Sequence, residues 1–368
     1  MFLRLCRVRR PRLAALLLGP ALCLIVCGTE CLIASGTAWG QLAPSPDAAP
    51  VSNAPAQPVD TQPAANFKIN VNLVDLFFTV TDKHGALIPH LNRHDCSISE
   101  DNVPQTIKSF TAEINLPLTI GLMLDTSGSQ DRVLPLEQQA GDQFLRDILR
   151  PKDEAFLLSF DVNVDLLQDY TNSASQLARA MDKAQINTAG GNGAAGIPGL
   201  GTGPVPVQGT PKGTLLYDAI YLAASQKLAD QSGRKALIIL TDGQDQGSKT
   251  TLKEAIAAAQ RSNTIIYVIL LADPSAYGSF GMGYYGYSAS KKIATETGGR
   301  VINVGFNGKK LTAAFQQIAD ELRSQYIATY TSTNARMDGA FRRITVQCNG
   351  DGYRIHARKG YYAPLPGS

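Results

Sequence analysis

The chain has 368 residues, enough for two modest domains together with export and linker segments. Its formal net charge is +3, but residues 1–40 alone hold five Arg and one Glu, so the remainder carries −1. No basic stripe survives that subtraction, which argues against a nucleic-acid partner.

In chain order, residues 1–40 read as a signal peptide. Arg4, Arg7, Arg9, Arg10 and Arg12 precede an apolar core from Ala14 to Cys27, and Ala38-Trp39-Gly40 stands before Gln41 at the expected cleavage position. Retention as a membrane anchor competes with cleavage, because apolar character runs on to Ala34, although Glu30 interrupts it. Either way the protein is expected to be exported, periplasmic or extracellular, and membrane-bound only if this segment stays. Cleavage removes Cys6, Cys23, Cys27 and Cys31 and leaves Cys96 and Cys348. In an exported protein that pair invites a disulfide; the alternative is two small buried apolar side chains.

Residues 41–66 turn to Pro, Ala, Ser and Gln with scarcely a charge and read as an extended linker. Residues 67–116 have strand character at 69–74, 77–80 and 96–99, with turn chemistry at Asp82-Lys83-His84-Gly85 and at Glu100-Asp101-Asn102. About fifty residues of antiparallel sheet are marginal alone. The C-terminal segment 326–368, with strand-like runs at 326–330, 343–348 and 353–357, is the expected partner, the two ends forming a small β-sandwich. The disulfide between Cys96 and Cys348 depends on that closure.

Between them, residues 117–325 alternate. Apolar strands at 118–124, 155–160, 235–241, 265–271 and 300–304 interleave with helical patterns near 134–149, 173–184, 215–229, 251–262, 290–297 and 309–325. This predicts an α/β fold, a doubly wound, mostly parallel sheet with helices on both faces, which binds ligands at the carboxyl ends of its strands. Two insertions interrupt it on that side. Residues 188–213, rich in Gly and Pro, read as a low-complexity loop; residues 277–287, with Tyr277, Phe280, Met282, Tyr284, Tyr285 and Tyr287, read equally as such a loop or as an aromatic binding surface.

The chemistry concentrates where strands end. Asp125-Thr126-Ser127-Gly128-Ser129 follows the first apolar strand, Thr214 opens a helical segment, and Asp242 closes another strand. Singly these are a turn, a helix N-cap and a strand exit. Together, Asp125, Ser127, Ser129, Thr214 and Asp242 make an all-oxygen set of two carboxylates and three hydroxyls, suited to Mg²⁺ or Mn²⁺, with Mg²⁺ the default. Gly128 is expected to relieve the loop sterically. Asp218 reads as a structural acceptor and Asp245 as a solvated loop charge. Catalysis is not expected: a Gly-x-Ser-x-Gly elbow is missing, and His84, His90, His94 and His356 all fall in the terminal β segments. His90 and His94 read as solvated, and the Gly-rich stretch 189–203 lacks the ending of a nucleotide loop.

These five residues resemble the metal-ion-dependent adhesion site (MIDAS) of von Willebrand factor type A (VWFA) domains. From about 67 to 365 the chain resembles acidobacterial-type VWFA-related proteins, through Val80 to Gly85, Ser99 to Gln105, Pro117 to Gly121, Phe341 to Ile344 and Ala357 to Pro364. The resemblance implies that Ser127 and Ser129 bind the ion directly, Thr214 directly or through water, and Asp125 and Asp242 largely through water, with a sixth position taken by an Asp or Glu of a partner protein. It implies a protein-binding, cell-adhesion module. The alternatives are an envelope scaffold stabilised by its metal and a metal-assisted hydrolase. Gln130, where Met is common, and Cys96, where an aromatic is common, depart from the family pattern and are not expected to touch a ligand.

Overall fold

The computed structural model describes residues 73–112, 116–187, 213–271 and 282–366. The expected export signal and linker, residues 188–212 of the first insertion and residues 277–281 of the second lie outside the described residues.

Among the described residues, fourteen strands form three sheets. The central one has six strands in the order β10-β9-β8-β5-β6-β7. Strand β5 (Leu118–Asp125) lies parallel between β6 (Glu154–Phe160) and β8 (Arg234–Thr241), and β9 (Thr264–Leu270) and β10 (Val301–Asn303) continue in parallel. Strand β7 (Val164–Thr171) closes the other edge antiparallel to β6. The sequence did not foretell β7: its half-buried run VDLLQDYT mixes charges with leucines, as an edge strand tolerates.

All eight residues of β5 are buried, so its alternate side chains feed two cores. Ile120, Leu122 and Leu124 meet α1 (Leu134–Ile148), α2 (Ala174–Met181) and α6 (Gly308–Arg323). On the opposite face Met123 joins Phe156, Ile239 and Ile266 against α3 (Leu216–Leu222), α4 (Leu252–Arg261) and α5 (Met282–Thr297). The result is the doubly wound, three-layer α/β arrangement that the sequence predicts. A Cβ on Gly121 would lie 2.5 Å from the Phe156 ring and 2.4 Å from Leu237, so only glycine lets these side chains cross the middle of β5.

The terminal segments build two four-stranded antiparallel sheets. One has the order β13-β1-β11-β4, from β1 (Leu73–Thr81), β4 (Ile107–Ala112), β11 (Tyr326–Thr331) and β13 (Arg354–Ala357). The other has the order β14-β12-β2-β3, from β2 (Cys96–Glu100), β3 (Val103–Gln105), β12 (Phe341–Cys348) and β14 (Gly360–Tyr362). Strand β1 takes in residues 73–74 of the first expected run and all of 77–80, with Asp75 exposed between them, while 69–72 lie outside the described residues. Asp101 and Asn102, both at positive φ, make the two-residue turn between β2 and β3, a conformation that matches the twist of a hairpin.

One apolar core, with Leu76, Phe78, Ile98, Tyr330, Ile344 and Tyr361, draws on both sheets, so they pack as a sandwich. A buried polar knot ties them. Glu100 Oε2 accepts from Tyr330 Oη at 2.9 Å and Tyr361 Oη at 3.0 Å, while Oε1 accepts from Ser332 Oγ at 2.6 Å and faces Arg342 Nη1 at 3.4 Å. Burial first, and the Glu100 charge second, raise the Tyr330 phenol well above its ordinary range.

Cys96 and Cys348 stand directly opposite on β2 and β12, their Cα atoms 4.0 Å apart, and are joined by a disulfide spanning 252 residues. Exchanging both cysteines for alanine should lower stability by about 2–4 kcal/mol, read from denaturant melts. Glu100→Ala, which strands Arg342 in the core, should cost about 3–5 kcal/mol by the same measurement.

Candidate metal centre

Strand β5 delivers Asp125 to the carboxyl end of the sheet, fully buried. Its Oδ2 accepts from Thr241 Oγ1 at 2.6 Å, across from the end of β8, and its Oδ1 from the Ser127 amide at 3.0 Å. That second bond curls the chain into a short 3-10 turn at Gly128–Gln130, and the Ser127 and Ser129 hydroxyls come 3.0 Å apart. Thr126 turns the other way, donating from Oγ1 to Asp161 Oδ2 at 2.8 Å. The steric role expected of Gly128 does not hold. A Cβ there would meet nothing within 4 Å, and its φ is not positive.

Thr214 is placed by its backbone. Its carbonyl accepts from the Gln246 amide at 2.8 Å, and the next amide, Leu215, donates to the Asp161 carbonyl at 2.8 Å. Thr214 is thus fastened between the loops that follow β6 and β8, and the same Asp161 holds Thr126 of the loop after β5. Helix α3 begins after it, with Leu215 at the cap, so Thr214 is not the N-cap. Asp242, only 6% exposed, accepts the Gln244 amide on Oδ1 at 2.9 Å. The following Gly243 has φ +81°, and a Cβ there would lie 2.7 Å from the Gly286 carbonyl. This close approach seats the first turns of α5 against the loop.

Asp218 is the structural acceptor expected of it, taking the Lys249 amide at 3.0 Å and the Thr250 amide at 2.8 Å. Asp245 is not a solvated loop charge. It is half-buried and accepts the Tyr217 amide at 3.0 Å and Ser248 Oγ at 2.6 Å, which satisfies the first turn of α3. Gln130, expected to leave the ligands alone, is fully buried and donates from Nε2 to Ser129 Oγ at 3.2 Å. Half of the second insertion is helix: α5 begins at Met282 and presents Tyr285 and Tyr287 to solvent. His90 and His94 are exposed.

The sequence reading missed Glu137. It lies on the inward face of α1 with Leu134, Gly141, Phe144 and Ile148, fully buried, and neither carboxylate oxygen has a hydrogen-bond partner. A glutamate in that apolar register was the available signal. Burial first, and Asp125 second, push its carboxyl well above the ordinary range. Asp125 is itself pushed up to about 7, by burial first and by Asp242 second.

Three buried carboxylates thus act on one another at the end of the sheet, and among the described residues no ion pair reaches Asp125 or Glu137. Buried acids in that situation keep a proton or take up a cation. Paired hydroxyls beside mutually repelling carboxylates fit a hard divalent ion. No group of three or more His, Cys, Asp or Glu close enough to hold a metal occurs among the described residues, so an ion here would lean on the hydroxyls.

No family model and no curated protein matches this chain. Several solved structures are distantly similar to it. BatB of Bacteroides thetaiotaomicron is 17% identical, with a TM-score of 0.41 over 56% of this chain and 100% of that one. The vWF domain of the type V pili tip protein Mfa5 from Porphyromonas gingivalis is 14% identical, with a TM-score of 0.40 over 56% of this chain and 95% of that one. Proximal thread matrix protein 1 of the mussel byssus, solved with a zinc-occupied MIDAS motif, is 16% identical, with a TM-score of 0.43 over 61% of this chain and 50% of that one.

Asp125 keeps its proton to about pH 7 in the fold against 3.8 as an ordinary side chain, so the metal-free native state holds the extra proton between those values. Its stability therefore falls as pH rises through that window. Chelator-treated protein should melt lower at about pH 8 than at about pH 5, and Asp125→Asn or Glu137→Gln should each shrink the difference. Melting curves that keep the full pH slope in both variants would contradict the assignment.

Proposed function

We propose that this protein is an exported, non-enzymatic binding module. It holds one divalent cation, Mg²⁺ or Mn²⁺, among Asp125, Ser127, Ser129, Thr214 and Asp242, and uses it to capture an Asp or Glu side chain of a partner protein. The observation that carries this reading is a set of buried carboxylates, Asp125 beside Asp242 and the unpartnered Glu137 of α1, together with the Ser127 and Ser129 hydroxyls, which lie 3.0 Å from each other. The cation would supply an electrophilic centre. Neutral hydroxyls leave much of its charge unspent, so an outside carboxylate is a favourable further ligand.

The residues of the chain divide that task. Thr241 holds Asp125 in place, Asp161 turns Thr126 away from the hydroxyls, and Gln130 steadies Ser129. Tyr285, 74% exposed, and Tyr287 stand on the helix whose Gly286 touches the Asp242 loop, and offer aromatic surface beside the site.

Calorimetric titration of Mg²⁺ and Mn²⁺ into chelator-stripped protein should show one saturable site. Asp125→Ala, or Ser127→Ala with Ser129→Ala, should abolish it with the circular dichroism spectrum unchanged. At a hundredfold excess over Kd the ion should add about 2.7 kcal/mol of stability. If the wild-type protein gives no binding heat and shows no metal-induced rise in Tm, the proposal is overturned.

A further inference from the structure

A second feature lies away from the carboxyl ends of β5 and β8, where the edge strand β10 of the central sheet approaches the edge strand β13 of the sandwich. A cavity of about 470 Å³ opens there. Lys291 of α5, Arg300 just before β10, Arg354 and His356 of β13, and Lys359 line it, and among the described residues no Asp or Glu does. Arg300 is held from behind by the buried Glu321 at 2.8 Å, whereas Lys291, Arg354 and Lys359 make no ion pair among the described residues. A neighbouring cavity of about 350 Å³ shares Ile355, Ala357 and Lys359 with the first and adds Arg343 and Arg358 against one acid, Glu296.

Like charges gathered at a concave surface repel one another unless something shields them. His356 registers that field: its imidazole is held down to about 4, by burial first and then by Arg300, Lys359 and Arg354. The gathering is local, since the chain beyond residue 40 carries a net −1. Gly298 and Gly299 form part of the lining, and a Cβ on either would strike backbone at 2.6 and 2.0 Å, so this wall is held to its close packing. Guanidinium and ammonium donors arriving from three separate elements suit a compact oxyanion with several acceptor oxygens, which Arg grips in a planar fork and Lys as a point charge.

We propose that the cleft lined by Lys291, Arg300, Arg354 and Lys359 is a binding site for a phosphate-bearing anion, separate from the metal centre and independent of it. The phosphate belongs either to a soluble organic phosphate or to a lipid headgroup. The pocket is about 470 Å³, room for one or two phosphate groups with a small attached moiety.

The test uses the whole exported protein in chelator, so that the metal centre takes no part. Pyrophosphate is titrated by calorimetry, citrate is the carboxylate comparison, and co-sedimentation with vesicles containing phosphatidic acid covers the lipid source. Saturable pyrophosphate binding that weakens with added salt, and falls at least about tenfold in Arg354→Ala with Lys359→Ala, is the expected result. Ser127→Ala should leave it unchanged. Both exchanged residues are exposed, so the double variant should keep its circular dichroism spectrum. Binding to vesicles alone, lost in the same variant, assigns the phosphate to a headgroup. Citrate binding as tightly as pyrophosphate, binding indifferent to the double variant, or no binding to either phosphate probe overturns the proposal.

Discussion

Everything in this molecule is arranged around the burial of one strand. Strand β5 is hydrogen-bonded on both sides by parallel neighbours and covered on both faces by helices, so all eight of its residues are buried. A parallel strand so enclosed can place polar groups only at its ends. Its carboxyl end is Asp125, and the loop beyond must satisfy that acid within a few residues. The Ser127 amide and the Thr241 hydroxyl do so, and the same curl brings Ser127 and Ser129 together. The site is therefore a consequence of how the central strand ends.

Two buried glutamates show how differently the fold treats charge. Glu100 sits in the sandwich core with its oxygens taken up by two phenols, a hydroxyl and the Arg342 guanidinium. It is complete, and its role is to hold two sheets together. Glu137 lies beneath the loop after β5 with no partner and with Asp125 as a like-charged neighbour. A native interior seldom leaves a carboxylate in that condition unless a proton or a cation completes it. The contrast separates an acid completed by protein groups from one left to a proton or a cation.

The basic cleft follows from joining two architectures. The sandwich is closed by chain segments from both ends, and its edge strand β13 arrives beside the open edge of the parallel sheet. Edge strands tend to carry charged side chains, which discourage further pairing. Here the charges on two edges have one sign and face one cavity. The candidate metal site and the cleft both border α5, with Gly286 at the Asp242 loop and Lys291 in the cleft.

Legible in the amino-acid order were the layered α/β core, the pairing of its two ends and the residues at the strand termini. Apolar periodicity is a local property, and the strands 118–124, 155–160 and 235–241 differ from the observed ones by a residue or so. Its errors fell where local pattern carries no information. Strand β7 has an edge strand's mixed composition. Helix α5 extends through Tyr284 and Tyr285 because Gly286 packs on Gly243, a contact between residues more than forty apart. Only long-range packing makes Asp245 serve α3 and buries Glu137 without a partner. It also decided that five basic residues from three elements share one hollow. Composition can report how much charge a chain has; only folding determines which charges meet, because their energies depend on distance and burial.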